Sequence, residues 1–174
     1  GYFIYKLISQ NKAIGYSLFA ILLVLYASVV IPRNKVWANE ENLYKNMVKT
    51  APQSVQSHFS LAIWYLEKDM LDDAIKEAEI AFGIYKDHPP LLNLIGTLSF
   101  LKGDYSLAED AFLRAIELRP KLAVSYSNLA KLYYRVGEYQ GAKEMLEILI
   151  NNLSHPSKND LMLYKEVLNK LDEK

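Results

Sequence analysis

Small residues return along this chain at one fixed interval. Gly96 steps back 34 residues to Ala62 and forward 34 to Ala130, and Ala108 does the same to Ala74 and Ala142. Gly103 steps forward 34 to Gly137, and Ala81 steps forward 34 to Ala115. Several independent positions sharing one spacing confine the chain to a stack of like units, each a pair of helices with its turns. The physical need at each position is local. Gly or Ala lets paired helices approach closely, Gly103 and Gly137 suit the interhelical turn, and large residues fill the gap to the next unit.

Ahead of the repeats, residues 13–31 hold no charged side chain over 19 positions. At about 1.5 Å per helical residue they extend roughly 28 Å, close to a bilayer core of about 30 Å. Eleven strongly apolar side chains there favour insertion by roughly 3 to 7 kcal/mol before Gly15, Ser17 and Ser28 are subtracted. Lys6 and Lys12 precede the span, Arg33 and Lys35 follow it, and Pro32 is expected to end its helix. A buried solenoid helix or a secretory signal are the alternatives. A signal would have a shorter apolar region and a small-residue cleavage site, and Val30-Ile31-Pro32-Arg33 offers none. Two basic residues on each side leave the positive-inside rule without a vote on orientation.

The remaining segments are expected as follows. Residues 1–12 end an upstream loop or helix, and residues 33–52 hold an amphipathic linking or capping helix, Val36 to Thr50, closed by Pro52. Pro52 lies twice the 34-residue period before Pro120, so this helix sits where a repeat's second helix would. Full repeats cover 55–88, 89–122 and 123–156, and 157–174 forms a final capping helix. The chain opens on Gly1 inside an apolar phrase, which reads as a fragment of something longer.

The stretch from Ala62 to Pro120, and on to Ala142, resembles the tetratricopeptide repeat (TPR) family. The resemblance implies an all-α, right-handed superhelical solenoid of antiparallel helix pairs, here preceded by one transmembrane helix. Against its pattern the first repeat departs twice, with Asp69 at the turn position and Ala78 where an aromatic would be usual, so looser packing is expected there. A narrower resemblance joins the membrane span, Arg33-Asn34, Trp37, Glu40, Leu43, Val48, Pro52 and His58-Phe59-Ser60-Leu61-Ala62. This junction is similar to the one in polytopic, glycosyltransferase-like membrane proteins that carry such repeats, including O-mannosyltransferases. It implies repeats on the extracytoplasmic side and no catalytic residue in this chain.

By register, the concave wall of the solenoid takes Gln56, Phe59, Ile63 and Leu66 from the first repeat. Pro90, Asn93, Thr97 and Phe100 follow from the second, then Val124, Ser127, Lys131 and Tyr134 from the third, with Asn128 and Arg135 beside them. An apolar half meets a half with amide, hydroxyl and cationic groups, which suits an extended peptide or an amphipathic helix. A solvated groove without a ligand is the plainer reading. Chaperone-binding relatives clamp a terminal carboxylate with Lys, Arg and Asn; the matching positions here are Phe59, Ile63, Leu94, Val124 and Asn128, of which only Asn128 could serve.

Balanced charge, 20 Lys and Arg against 20 Asp and Glu, gives no long-range field for nucleic acid. There is no cysteine, which removes disulfides, thiolate zinc sites and cysteine nucleophiles. His58, His88 and His155 are too scattered for a metal site and read as packing or turn residues. Asp72, Asp73 and Glu77 read as helix stabilisers rather than an acid/base pair. Asn152-Leu153-Ser154 matches a glycosylation triplet that matters only on a luminal face. Of the 13 tyrosines, Tyr65, Tyr126 and Tyr133 fall at core positions.

Together these point to a non-enzymatic, cofactor-free module with a protein or peptide ligand in its groove, anchored in a membrane through 13–31. It would position substrates or partners for a larger, glycosyltransferase-like membrane protein. The competing reading is a single-pass membrane scaffold that assembles a secretion, pilus or envelope complex.

Overall fold

The computed structural model describes residues 12–37, 40–152 and 156–173. Those residues form nine α-helices and no strand: α1 (Lys12–Trp37), α2 (Glu40–Thr50), α3 (Val55–Glu67), α4 (Leu71–Ile84), α5 (Pro89–Lys102), α6 (Tyr105–Leu118), α7 (Ala123–Val136), α8 (Tyr139–Asn152) and α9 (Lys158–Asp172). The chain divides into two compact units, 1–50 and 51–174.

In the first unit, α1 runs for 26 residues straight through Pro32 to Trp37. The stop expected at Pro32 is thereby corrected. A proline inside a helix removes one backbone bond and crowds the preceding turn, at about 3 kcal/mol, and the remaining turns of so long a helix carry that cost. The next helix, expected from Val36, starts at Glu40 instead. Its Glu40 and Glu41 lie in the first turn and Lys49 in the last, matching the helix dipole. From Phe19 to Tyr26 every large apolar side chain of α1 is exposed. The side chains described in α1 run from Tyr16 to Ser28, about 20 Å of helix against a bilayer core of about 30 Å. Among the described residues no helix is long and apolar enough to cross a membrane.

The second unit is the helical array. First helices begin at Val55, Pro89 and Ala123, and second helices at Leu71, Tyr105 and Tyr139, each 34 residues after the one before. The turns repeat with them. At Gly103 the chain enters the left-handed region with φ 89°, its N–H bonding Phe100 O at 3.1 Å while Asp104 N–H bonds Ser99 O at 2.9 Å. Gly137 does the same with φ 84°. Glycine is favoured there because it has no Cβ to clash. Side-chain caps start several helices: Ser54 accepts from Ser57 N–H, Asp104 from Leu107 N–H, and His88 Nδ1 from Leu91 N–H. Pro89 and Pro90 sit in the first turn of α5, where their missing N–H groups cost nothing.

Small residues line the seam of each pair. Ala62, Ala74, Ala81, Ala108, Ala115, Ala130 and Ala142 are all fully buried, so paired helices meet backbone to backbone. Polar bonds tie the units further. The buried His58 of α3 places Nδ1 2.6 Å from Glu77 Oε2 of α4 and Nε2 3.0 Å from the Pro52 carbonyl. Glu77 is thus the partner of His58, more than the helix-end stabiliser expected of it; Asp72 and Asp73 do lie in the first turn of α4. The tyrosines also bind neighbours: Tyr133 Oη donates to Glu109 at 2.7 Å, Tyr126 Oη to the Pro120 carbonyl at 3.0 Å and Tyr164 Oη to Glu147 at 3.0 Å. Residues 1–11 and 153–155, and with them His155 and most of the glycosylation triplet, lie outside the described residues.

Candidate peptide-binding groove

The expected groove residues fall into four rows, each repeating at the 34-residue interval, with Asn128 and Arg135 beside them: Gln56, Pro90, Val124; Phe59, Asn93, Ser127; Ile63, Thr97, Lys131; Leu66, Phe100, Tyr134. All stand on first helices of the pairs, α3, α5 and α7. Adjacent first helices are fastened to each other. Asn93 Nδ2 donates to Ser125 Oγ at 2.7 Å and to the Pro89 carbonyl at 3.2 Å. Asn128 Nδ2 lies 3.5 Å from Thr97 Oγ1, which itself donates to the Asn93 carbonyl at 2.8 Å. Ser127 Oγ donates to Asp160 Oδ1, carrying the same pattern on to α9.

These bonds divide the expected wall. Asn93 and Ser127 are buried and spent on neighbouring helices, so they hold the wall together rather than face a ligand. Ile63, Leu66, Thr97, Phe100, Asn128 and Tyr134 are half-buried, and Lys131 and Arg135 are exposed. Phe59 is half-buried too, its ring edge-on to His88 at 5.7 Å between centroids. The accessible rows pass from aliphatic and aromatic surface at the first repeat to cations at the third. Gln56 and Val124 are exposed at the margins.

The electrostatics at the cationic end are settled by α9. Burial alone would raise the Asp160 carboxyl, but bonds from the Ser127 and Ser157 hydroxyls and the Ser157 N–H, with Lys131 nearby, hold it below its ordinary range. Asp160 therefore stays ionised beside Lys131. Partial burial, then Glu166, push the Tyr134 hydroxyl up, so it remains a neutral donor, with Tyr139 5.6 Å away ring to ring. Of the wall residues' buried side-chain polar atoms, Asn93 Oδ1 has no hydrogen-bond partner among the described residues.

Sequence reasoning missed a cavity elsewhere in the array. A cavity of about 710 Å³ lies between α4, α5 and α6, walled by Ile75, Ala78, Phe82, Ile95, Leu98 and Ala111 and rimmed by charged residues. The sequence signal was the set of small residues Ala78, Ser99 and Ala111 taken together, of which only Ala78 stood out as small for its position.

Residues 89–122 and 111–144 each match a family described as the tetratricopeptide repeat. Protein O-mannosyl-transferase TMTC1 of Homo sapiens is 28% identical over 79 residues, covering 45% of this chain and 9% of that protein. The chain thus spans under a tenth of that relative's length. Among solved structures, PilF of Pseudomonas aeruginosa superposes with a TM-score of 0.69 at 18% identity, covering 86% of this chain and 68% of that one. The first TPR of Spaghetti (RPAP3), bound to the HSP90 peptide SRMEEVD, gives 0.65 at 16% identity over 69% of this chain and 94% of that one. At such identities the likeness establishes the fold. Residues 89–144 thus match the tetratricopeptide repeat, and the helix pairs that start every 34 residues from Val55 onward share its architecture.

Proposed function

We propose that this chain is the membrane-anchored repeat module of a larger, glycosyltransferase-like membrane protein, and that it holds a polypeptide along the first-helix wall on the extracytoplasmic side. The observation that carries the binding role is the accessible wall itself: apolar Ile63, Leu66 and Phe100 lead to exposed Lys131 and Arg135. A solved protein of this fold is bound to the peptide SRMEEVD; here, by a different set of residues from the carboxylate clamp, exposed Lys131 and Arg135 favour an acidic segment through charge complementarity. The uncharged run over 13–31 and the exposed apolar side chains of α1 support the anchor. The match to an O-mannosyl-transferase supports the kind of parent. In this reading the chain binds and positions, and bond-making chemistry belongs to other parts of the parent.

Two measurements test it. Replacing Lys131, Tyr134 and Arg135 together by Ala should weaken capture of acidic-apolar peptides by about tenfold or more with unchanged helicity. Equal binding by the variant would remove the groove assignment. Protease protection in sealed native membranes tests the side: cleavage from the extracytoplasmic face supports the transferase-like parent, while cleavage only from the cytosolic face replaces it with the scaffold.

A further inference from the structure

The cavity between α4, α5 and α6 is the empty counterpart of an interface that is filled one repeat later. Stepping its lining residues forward by 34 lands on the core between the second and third helix pairs. Ala78 becomes Phe112, Ser99 becomes Tyr133 and Ala111 becomes Met145, while Leu98 becomes Leu132. In that later interface Phe112 is 1% exposed and Tyr133 and Met145 pack against it. Three large side chains are therefore exchanged for three small ones at a single place in the array. Leu107, standing where Gly141 stands later, does not make up the loss, because it is 49% exposed at the rim. Protein interiors are close-packed, with few voids larger than a water molecule, and about 710 Å³ falls in the range of ligand sites.

The rim states the charge of what would enter. Glu79, Asp104 and Asp110 are exposed around the opening, with Lys102. Arg114 is committed to Asp87 at 3.1 Å and Glu117 at 2.6 Å, both away from the cavity, and Asp104 caps α6 through Leu107 N–H. Glu79 and Asp110 have no ion-pair partner among the described residues. An apolar floor under unpaired carboxylates is complementary to apolar side chains flanked by cations.

We propose that this cavity docks a cationic amphipathic helix of a partner polypeptide. The partner's aromatic or methionine side chains enter where Phe112, Tyr133 and Met145 stand one repeat later, and its Lys or Arg residues meet Glu79 and Asp110. The site is separate from the first-helix wall, since Ala78, Glu79, Asp110 and Ala111 belong to second helices of the pairs.

The test uses the full chain in mild detergent and a fluorescent 16-residue helical peptide with two Phe at i and i+4 and flanking Lys, read by anisotropy. Replacing both Phe by Ala in the peptide should weaken binding about tenfold or more, the loss expected of a buried aromatic anchor. Ala78→Phe together with Ala62→Gly, which recreates the Gly96–Phe112 pair and fills the cavity from α4, should do the same with helicity unchanged. Should that variant fail to fold, Ala111→Met fills it from α6. Glu79→Gln with Asp110→Asn should weaken binding and flatten its salt dependence. The acidic-apolar peptides of the groove should bind all these variants as before. Equal binding of the Phe and Ala peptides, or of the filled variants, would overturn the proposal. So would a concentration-dependent dimer abolished by Ala78→Phe with Ala62→Gly, which would make a second copy the occupant.

Discussion

The ring of Phe112 occupies the space beside Gly96 so fully that a Cβ placed on Gly96 would stand 2.5 Å from Phe112 Cε1. The pair varies along the array as a complementary set: Ala62 with Ala78, Gly96 with Phe112, Ala130 with Leu146. Where the second-helix residue is a ring, the first-helix residue has no side chain at all. Since Phe112 is 1% exposed, it has nowhere to retreat.

Gly96→Ala should therefore lower stability by about 1 to 3 kcal/mol through overpacking, despite the better helix propensity of alanine. Adding Phe112→Leu should recover part of that loss, because it reproduces the Ala130–Leu146 arrangement. Urea melts of the two variants decide it; a Gly96→Ala curve superimposing on the parent's would refute the close approach.

The first turn offers the opposite opportunity. Asp69 holds φ 59°, where Gly103 and Gly137 stand later in the chain. Its hydrogen bonds match theirs, Asp69 N–H to Leu66 O at 3.1 Å and Met70 N–H to Tyr65 O at 2.9 Å. An L-residue pays roughly 1 kcal/mol for left-handed geometry, less for Asp than for most, and glycine loses some unfolded-state entropy advantage in return. Asp69→Gly should stabilise the array by about 0.5 kcal/mol, and Gly103→Ala should destabilise it by about 1 kcal/mol. Calorimetry that finds Asp69→Gly destabilising, or Gly103→Ala stabilising, would mean the turns are not equivalent.

What the sequence made legible follows from which constraints are local. The period, the alanine seams and the glycine turns answer to one residue and its nearest neighbour, so Ala62, Ala108 and Gly137 revealed them directly. The fate of Asn93 and Ser127 was not legible, because their partners, Ser125 and Asp160, lie about one repeat away and on helices whose approach had to be known first. The end of α1 was misread at Pro32 because proline weighs against a helix without forbidding one. The cavity needed the comparison of Ala78, Ser99 and Ala111 with their successors jointly; each alone is an ordinary small residue.

His88 links the repeat boundary to pH. Partial burial, and secondarily the Arg119 guanidinium, hold its imidazole below the ordinary value. The neutral ring is also the form its cap needs, because Nδ1 accepts the Leu91 N–H at 3.2 Å. The fold thus prefers unprotonated His88, while the unfolded chain takes up a proton near pH 6.5. Its contribution is complete above about pH 6.5 and is lost as pH falls from there toward the lower folded value. His88→Asn retains an accepting cap. The difference in melting temperature between parent and variant should shift in the variant's favour from pH 7.5 to about 5.5; a constant difference would show that His88 does not titrate in the fold.

Asp160 carries the last helix. Its Oδ2 receives the Ser157 N–H at 2.9 Å and the Ser157 hydroxyl at 2.6 Å, while Oδ1 receives the buried Ser127 hydroxyl of α7. One carboxylate therefore both starts α9 and fastens it to the third repeat. These bonds, with Lys131 near, outweigh burial and lower its folded value. A depressed carboxyl contributes stability above its unfolded value of about 3.9 and loses it as pH falls through the folded one. Ser127→Ala should cost about 1 to 2 kcal/mol, since it strips one bond from a buried carboxylate, and should shrink the acid-dependent loss. Hydrogen exchange separates this from general weakening. Protection should fall first in α9, where Val167 is fully buried against the third repeat, and only later in α5 and α6. Uniform loss of protection, or an Asp160→Asn variant with an unchanged acid profile, would mean that α9 is held by its apolar face and not by this carboxylate.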